Sequence, residues 1–493
     1  MPDFFPNHIG GAWTDAASGE TFASTNPATP DDTVGRFPAS STDDAARACE
    51  AAAEAQSDWA ATPAPQRGKH LRRAGDLLTE RKADIAREMT REMGKPFFET
   101  KGDVQEAIDT AYYTASETRR LFGKTVPSEL PDKFNMSVRR PVGVCAMITA
   151  WNFPVAVPSW KIFPALAAGN TVIFKLIECL LDADLPAGVL NLVQGGGEAG
   201  QALVEHPAVD AVSFTGSTET GTQIATSCAQ NHKRCALEMG GKNPMIVMDD
   251  ADLGLALEGV VWGAFGTTGQ RCTATSRLIC QNGVHDELVK RIREEAESMT
   301  LGDGNDDDTD MGPLINAAAL EKVSGYIDVG TGEDGATLAF GGSQALSDHG
   351  ALNGDATKDG FFFPPTALTG VKPEMRIAQE EIFGPVLAVF EVDDYEEAVR
   401  VANDSRYGLS SSIYTQDVNR AFKAMDDLEA GITYVNGTTI GAEAHMPFGG
   451  VKQTGNGRRD GGWEVFDFYT ETKTCYIDYS GQLQKAQMDT EEV

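Results

Sequence analysis

From Ser137 onward the chain alternates short apolar runs with helical patterns, separated for the most part by glycine-rich turns. The runs are Val142–Ile148, Thr171–Phe174, Val189–Val193, Ala211–Phe214 and Met245–Met248. A chain that makes strand, helix and strand in turn must cross back over its sheet each time. The pattern therefore predicts a parallel, doubly wound sheet. A second alternating series, from Ala251 to about Gly431, predicts a second α/β lobe. Two lobes suit 493 residues, too many for one core. Ahead of the first sheet, Thr42-Asp-Asp opens an alanine-rich helix reaching Trp59. Pro65 starts another that runs to Met93 and stops at Gly94, and a third pattern spans Glu99 to Leu121. The tail from Glu471 to Tyr479 alternates like an exposed edge strand; such edges seldom stay unpaired, so it is expected to join another subunit. There is no internal repeat and no low-complexity linker.

Charge removes several function classes. A net charge of −32 argues against nucleic acid or an anionic membrane surface as partner. The acidic run Asp303–Asp310 lacks the central Gly and terminal Glu of a calcium loop and reads as solvated surface. Excess carboxylates with only 18 Lys against 23 Arg suggest a halophile-type surface. No apolar run approaches the roughly 18 residues that cross a bilayer. The start of the chain has no basic residue before Arg36 and no signal-like stretch, so a cytoplasmic location is expected. Eight cysteines lie scattered without a C-x-x-C pair, and the histidines form no H-x-H or H-E-x-x-H. Neither a metal site nor a disulfide framework is expected. Most of these thiols read as small buried hydrophobes.

Cys272 is the exception. In Phe265-Gly-Thr-Thr-Gly-Gln-Arg-Cys272 the thiol follows glycines and small residues, which present it on a turn with its N–H exposed. By itself this reads as a buried cysteine after a glycine turn. Other segments supply the missing parts. Leu237-Glu-Met-Gly-Gly-Lys242 sets Glu238 at the end of an apolar strand, as a partly desolvated general base or as a polar strand end. Trp151-Asn-Phe-Pro154 follows another strand, and the Asn152 amide suits an oxyanion. Phe214-Thr-Gly-Ser-Thr-Glu-Thr-Gly221 joins a strand to a helix N-terminus, where a hydroxyl and free amides suit a pyrophosphate.

In this order and spacing the segments closely resemble the aldehyde dehydrogenase superfamily. The resemblance runs from Gly10-Gly-Ala-Trp13 to Lys473 and includes Glu380-Glu-Ile-Phe-Gly-Pro-Val386, Asn403–Leu409 and Pro447-Phe-Gly-Gly-Val-Lys452. It implies an α/β fold of two doubly wound lobes plus a β oligomerisation arm. The dinucleotide-binding domain would be 1–122 with 142–248, the catalytic domain 249–440, and the arm and tail 123–141 and 470–493. It also implies a mechanism. Cys272 attacks the aldehyde, and Asn152 with the Cys272 N–H holds the oxyanion. Hydride leaves for NAD or NADP, and Glu238 activates the water that releases the acid. Around the cofactor it implies Trp151 and Ser217 at the pyrophosphate, Lys175 at the adenosine ribose, and Gly195 and Gly216 where the dinucleotide approaches. Glu381 serves the nicotinamide-side ribose, Phe383 the ring, and Met239 is a further cofactor contact. A homodimer or homotetramer is expected.

Arg271, beside the nucleophile, and Gly441-Ala442 match places that bind the substrate carboxylate in the branch oxidising aminoadipate semialdehyde. Gln270–Arg277 also resembles dehydrogenases of 2-oxoglutarate semialdehyde. The substrate expected is a carboxylate-bearing semialdehyde such as 2-oxoglutarate or succinate semialdehyde. Arg271 as a structural ion-pair partner stands beside this reading. One departure is plain. After Lys175 about a dozen residues typical of the superfamily are absent, leaving Leu176–Asp184, roughly 13 Å of helix, to cross a strand of some 15 Å. The lost loop is where relatives choose between NAD and NADP. A catalytically impaired paralogue with a binding role, or a thiol esterase, are the alternatives.

Overall fold

The computed structural model describes residues 4–174, 182–342, 353–354, 356, 358–485 and 487–488. The first sheet is built from β1 (Asn7–Ile9), β2 (Ala12–Thr14), β3 (Val144–Ile148), β4 (Thr171–Phe174), β5 (Leu190–Leu192), β6 (Ala211–Thr215) and β7 (Arg234–Glu238). Its order is β7-β6-β3-β4-β5-β1-β2. Strands β3 to β7 pair in parallel, and the β1–β2 hairpin adds an antiparallel edge. Successive residues of β3 serve opposite faces, as the period of a strand requires. Val144 and Ala146 pack with α1 (Thr42–Ala61), whereas Cys145 and Met147 pack with α2 (Ala64–Glu80), α3 (Lys82–Met93) and α4 (Phe97–Glu117). Helices on both faces make the sheet doubly wound.

The second sheet contains β8 (Asn243–Val247), β9 (Thr275–Gln281), β10 (Thr337–Phe340), β11 (Thr366–Thr369), β12 (Val386–Val392), β13 (Ser410–Tyr414) and β14 (Ile432–Val435). Its order is β10-β11-β12-β9-β8-β13-β14, parallel except for β10. The run at Met245–Met248 was expected in the first series, within a first domain closing at 248. It lies instead in this second sheet, between β9 and β13. Strand β7 is already the edge of the first sheet, and the chain leaves it through Gly240-Gly241.

The helix expected from Pro65 to Met93 is two, broken at Arg81. Both pieces bury Leu71, Leu77, Leu78, Ala86, Met89 and Met93 in one core, which a single straight rod would not bring together. Gly94 does end the second piece, with φ +84°. The third pattern forms Phe97–Glu117. The tail strand, Thr470–Asp478, pairs antiparallel with Lys133–Pro141 of its own chain, from Thr470↔Pro141 to Asp478↔Lys133. It is the outer strand of its sheet, and its second edge has no pairing strand among the described residues, which is the edge at which another subunit was expected to join. Lys124–Val126 completes this three-stranded arm. Strands β4 and β5 pair in parallel, Val172↔Leu190 and Ile173↔Asn191, across the shortened crossover. Lys175 and the start of that crossover lie outside the described residues. Among the described residues no helix is long and apolar enough to cross a membrane.

Candidate active site

The nucleophile candidate sits at the end of an unusual turn. Thr267, Thr268 and Gly269 are consecutive left-handed residues, with φ of +54°, +57° and +66°. Two non-glycine residues hold that conformation because their polar groups are committed. The Thr267 N–H donates to Glu99 Oε1 at 2.9 Å, its hydroxyl donates to Glu99 Oε2, and the Thr268 hydroxyl donates to the Gly312 carbonyl at 2.9 Å. A Cβ at Gly269 would lie 2.1 Å from the Gly384 oxygen, so only glycine fits there. Beyond the turn, the Asn243 amide donates to the carbonyls of Cys272 and Ala274 at 2.8 and 2.9 Å, which pins the backbone under the thiol.

Cys272 keeps part of its surface open, yet protein surrounds it. It packs against an apolar group of Val157, Trp160, Leu409 and Phe448. Burial first, then the Glu381 and Glu238 carboxyls, push its thiol up to about 12. Asn152 is buried and donates one amide hydrogen to the Gln270 carbonyl at 3.0 Å, two residues before the thiol, and the other hydrogen has no acceptor among the described residues. Glu238 lies buried at the end of β7. Its Oε2 accepts from the Gly450 N–H at 3.3 Å, and its Oε1 has no partner among the described residues. A Cβ at Gly449 would sit 2.3 Å from that Oε1. Burial, reinforced by Asp460, holds the Glu238 carboxyl well above the usual carboxylate range, against the pull of Lys161 and Arg459. Lys161 and Asp460 form a buried pair at 2.6 Å, with Ser213 at 3.1 Å from the ammonium.

A cradle adjoins the thiol. Glu381 accepts the Gly241 N–H at 3.0 Å and lies so close to Gly240 that a Cβ there would meet its Oε2 at 2.2 Å. Phe383, with φ +62°, meets Trp151 edge to face at 5.8 Å. Beyond them β6 turns through Gly216 into α7 (Thr218–Gln230). Ser217 is the exposed N-cap, its hydroxyl accepting from the Thr220 N–H at 3.2 Å. Met239 supports this turn from below; a Cβ at Gly221 would touch its sulfur at 2.4 Å. Gly195 lies farther along the sheet, at the start of the turn into Gly197–Glu205. A helix N-terminus, the half-buried Glu381 carboxyl and a pair of aromatic rings suit the pyrophosphate, ribose and ring of a nicotinamide dinucleotide.

Comparison with known proteins settles the family. The sequence profile described as "Aldehyde dehydrogenase family" matches residues 13–475. The chain belongs to the aldehyde dehydrogenase family. Membership makes it an oxidoreductase that converts aldehydes with NAD or NADP as acceptor. It is 43% identical to an alpha-ketoglutarate semialdehyde dehydrogenase of Haloferax volcanii, covering 97% of this chain and 100% of the relative. It is 40% identical to the alpha-ketoglutaric semialdehyde dehydrogenase of Bacillus subtilis, covering 96% and 97%. Its fold matches the betaine aldehyde dehydrogenase of Staphylococcus aureus solved with NAD+, at a TM-score of 0.92 and 35% identity over 97% of this chain and 95% of that one.

Arg271, Glu381 and Phe383 line one recess, Trp151 packs on Phe383, and Asn152 and Asn243 bind the backbone carbonyls of Gln270 and Cys272 beside it. Arg271 is not free. Its Nη2 pairs with Glu99 Oε2 at 2.7 Å and its Nε donates to the Thr267 hydroxyl at 2.7 Å. The ion-pair reading of Arg271 therefore describes its side chain, and Nη1 alone makes no hydrogen bond among the described residues. Gly441, at φ +133°, accepts the Tyr434 hydroxyl through its carbonyl, and Ala442 is exposed. Sequence reasoning missed Glu99, Asn243, Lys161 and Asp460. Asn243 directly follows the Glu238 motif and was within reach. Glu99 lies 172 positions before Arg271, and nothing along the chain links them.

Proposed function

We propose that the chain oxidises a carboxylate-bearing semialdehyde, 2-oxoglutarate or succinate semialdehyde, to the corresponding diacid through Cys272. What carries this reading is the convergence of Cys272, the Asn152 amide hydrogen and buried Glu238, in a chain that matches two alpha-ketoglutarate semialdehyde dehydrogenases over nearly their whole lengths.

The Cys272 thiol gives up its proton to solvent as its sulfur bonds to the aldehyde carbon. The carbonyl oxygen becomes an alkoxide that the Asn152 amide and the Cys272 N–H receive. A bound NAD or NADP supplies the hydride acceptor. Loss of hydride from the carbon leaves a thioester on Cys272. Glu238 takes a proton from water, the hydroxide adds, and the carbon–sulfur bond breaks to return the thiol and release the acid. For each aldehyde one water is consumed, and two electrons leave as hydride.

Ser217 and the α7 amides, with Trp151, would hold the pyrophosphate. Glu381 would hold the nicotinamide-side ribose and Phe383 the ring edge, with Gly195, Gly216 and Met239 shaping the approach. The arm, with Tyr476 and Ile477 exposed on its outer strand, supports assembly as a homodimer or homotetramer.

An aldehyde panel run with NAD and with NADP in strong potassium chloride tests the reading by the appearance of reduced nicotinamide. The two semialdehydes are expected to exceed propanal in kcat/KM, and Cys272→Ala is expected to abolish turnover. Equal rates for propanal, or turnover surviving in Cys272→Ala, would overturn it.

A further inference from the structure

Two thiols that the chemistry above does not use face each other across the first sheet and the helix that covers its edge. On α7 the residues turned to the sheet are Gly221, Ile224 and Cys228, one face of the helix by their spacing. On β7 the alternation of a strand sends Cys235 and Leu237 toward that helix, into the cluster that holds Ile224 and Cys228. Ala236, between them, packs in the core on the opposite face.

The turn joining the two elements is tight. The N–H groups of Asn231 and Lys233 donate to the Cys228 carbonyl at 3.2 and 2.9 Å, and the chain enters β7 at Arg234. Cys235 therefore lies only two residues beyond the backbone that is held against Cys228. The sulfurs meet, and each is the other's hydrogen-bond partner.

The setting of this pair differs from that of a thiol kept as a small hydrophobe. Burial pushes the thiols of Cys145 and Cys280 up. At Cys228 the hydrogen bond from Cys235, against burial and with Lys233 adding to it, draws the thiol below its ordinary range, toward the thiolate that attacks sulfur. Lys233 is anchored there, its ammonium donating to the Val204 and His206 carbonyls at 2.7 and 2.6 Å. Cys228 is 1% exposed, whereas Cys235 is half-buried and open to a small solute.

We propose that Cys228 and Cys235 form a modification site for peroxides, closing a disulfide that staples α7 to β7. Hydrogen peroxide meets Cys235, the outer thiol. A sulfur–oxygen bond forms, the O–O bond breaks, and water leaves. The Cys228 sulfur then attacks the Cys235 sulfur; the S–S bond forms, the sulfur–oxygen bond breaks, and a second water leaves with the Cys228 proton. Two thiols and one peroxide become one disulfide and two waters, with two electrons passing from sulfur to oxygen. Ser217 precedes α7 and Glu238 ends β7, so the bridge sits at the opposite ends of these elements from the residues of the proposed site. It closes a short loop and acts by restricting the unfolded chain.

The test treats the full chain with hydrogen peroxide in stepwise equivalents, alkylates the remaining thiols and maps the peptides without reduction. A peptide pair joined through Cys228 and Cys235, lighter by two hydrogens and released by dithiothreitol, is expected. The melting temperature is expected to rise by about 2–5 °C with the bridge and to return on reduction. Cys235→Ser is expected to lose the cross-link and the rise together. Both thiols alkylated after Cys272 has already been oxidised, or a bridge from Cys228 to Cys49 of the same core, would overturn the proposal, and the mapping needs no variant to fold. A bridge that leaves the melting temperature unchanged or lowers it, or a rise that persists in Cys235→Ser, would also overturn it.

Discussion

Cys272 is fixed through its backbone, by Asn243 on its carbonyl, while its sulfur is left in a poorly hydrated recess where the thiol is raised to about 12. Glu238 is raised as well, by burial and by the neighbouring Asp460. Their division of labour separates in time. In Glu238→Gln one round of hydride transfer is expected, followed by a stall at the thioester. Rapid mixing would show a burst near one equivalent per site and a steady state about 10²–10⁴-fold lower. The unaltered chain is expected to turn over faster as pH rises, because a carboxyl with a raised pKa becomes a base only above that value. The variant should lose that climb. An unchanged steady state in Glu238→Gln would remove Glu238 from the role of base.

The turn before the nucleophile is the element whose conformation the site depends on most. Gly269 at φ +66° abuts the Gly384 carbonyl, so Gly269→Ala introduces both an unfavourable dihedral and a clash with backbone that has no flexible end to yield. The expected cost is about 1–3 kcal/mol, with loss of most dehydrogenase activity because Cys272 and the Asn152 hydrogen shift together. A thermal melt and the cofactor affinity of the variant separate the two effects. A lowered melting point with cofactor binding retained places the damage at the turn, whereas unaltered activity would show that the turn does not set the thiol. The glycines here were legible from the sequence. The two left-handed threonines were not, because the partners that make that conformation tolerable, Glu99 on α4 and the Gly312 carbonyl, come from distant parts of the chain.

Across the whole molecule the dominant fact is charge. At −32, carboxylates on the surface repel one another, and the screening length shortens from about 10 Å in 0.1 M salt to about 3 Å at 1 M. Activity and melting temperature are both expected to rise toward molar potassium chloride, checked by turnover and differential scanning calorimetry at stepped salt. Full, stable activity in dilute buffer would assign the acidic surface another purpose.

The sequence by itself determined the alternation that makes two doubly wound sheets, the family, and the local setting of the proposed site residues: Cys272 after its glycine turn, Glu238 before Gly240-Gly241, Ser217 at a helix N-terminus. Each of those depends on local backbone geometry, which adjacent residues dictate. Tertiary structure decided the rest. It moved β8 into the second sheet, because pairing partners are chosen by where the first sheet ends. It gave the tail strand a partner within its own chain. It occupied Arg271 with Glu99, since side chains on α4 and at the nucleophile meet only after α4 has packed against the core. Electrostatic partnership depends on distance in space, and sequence separation says little about it.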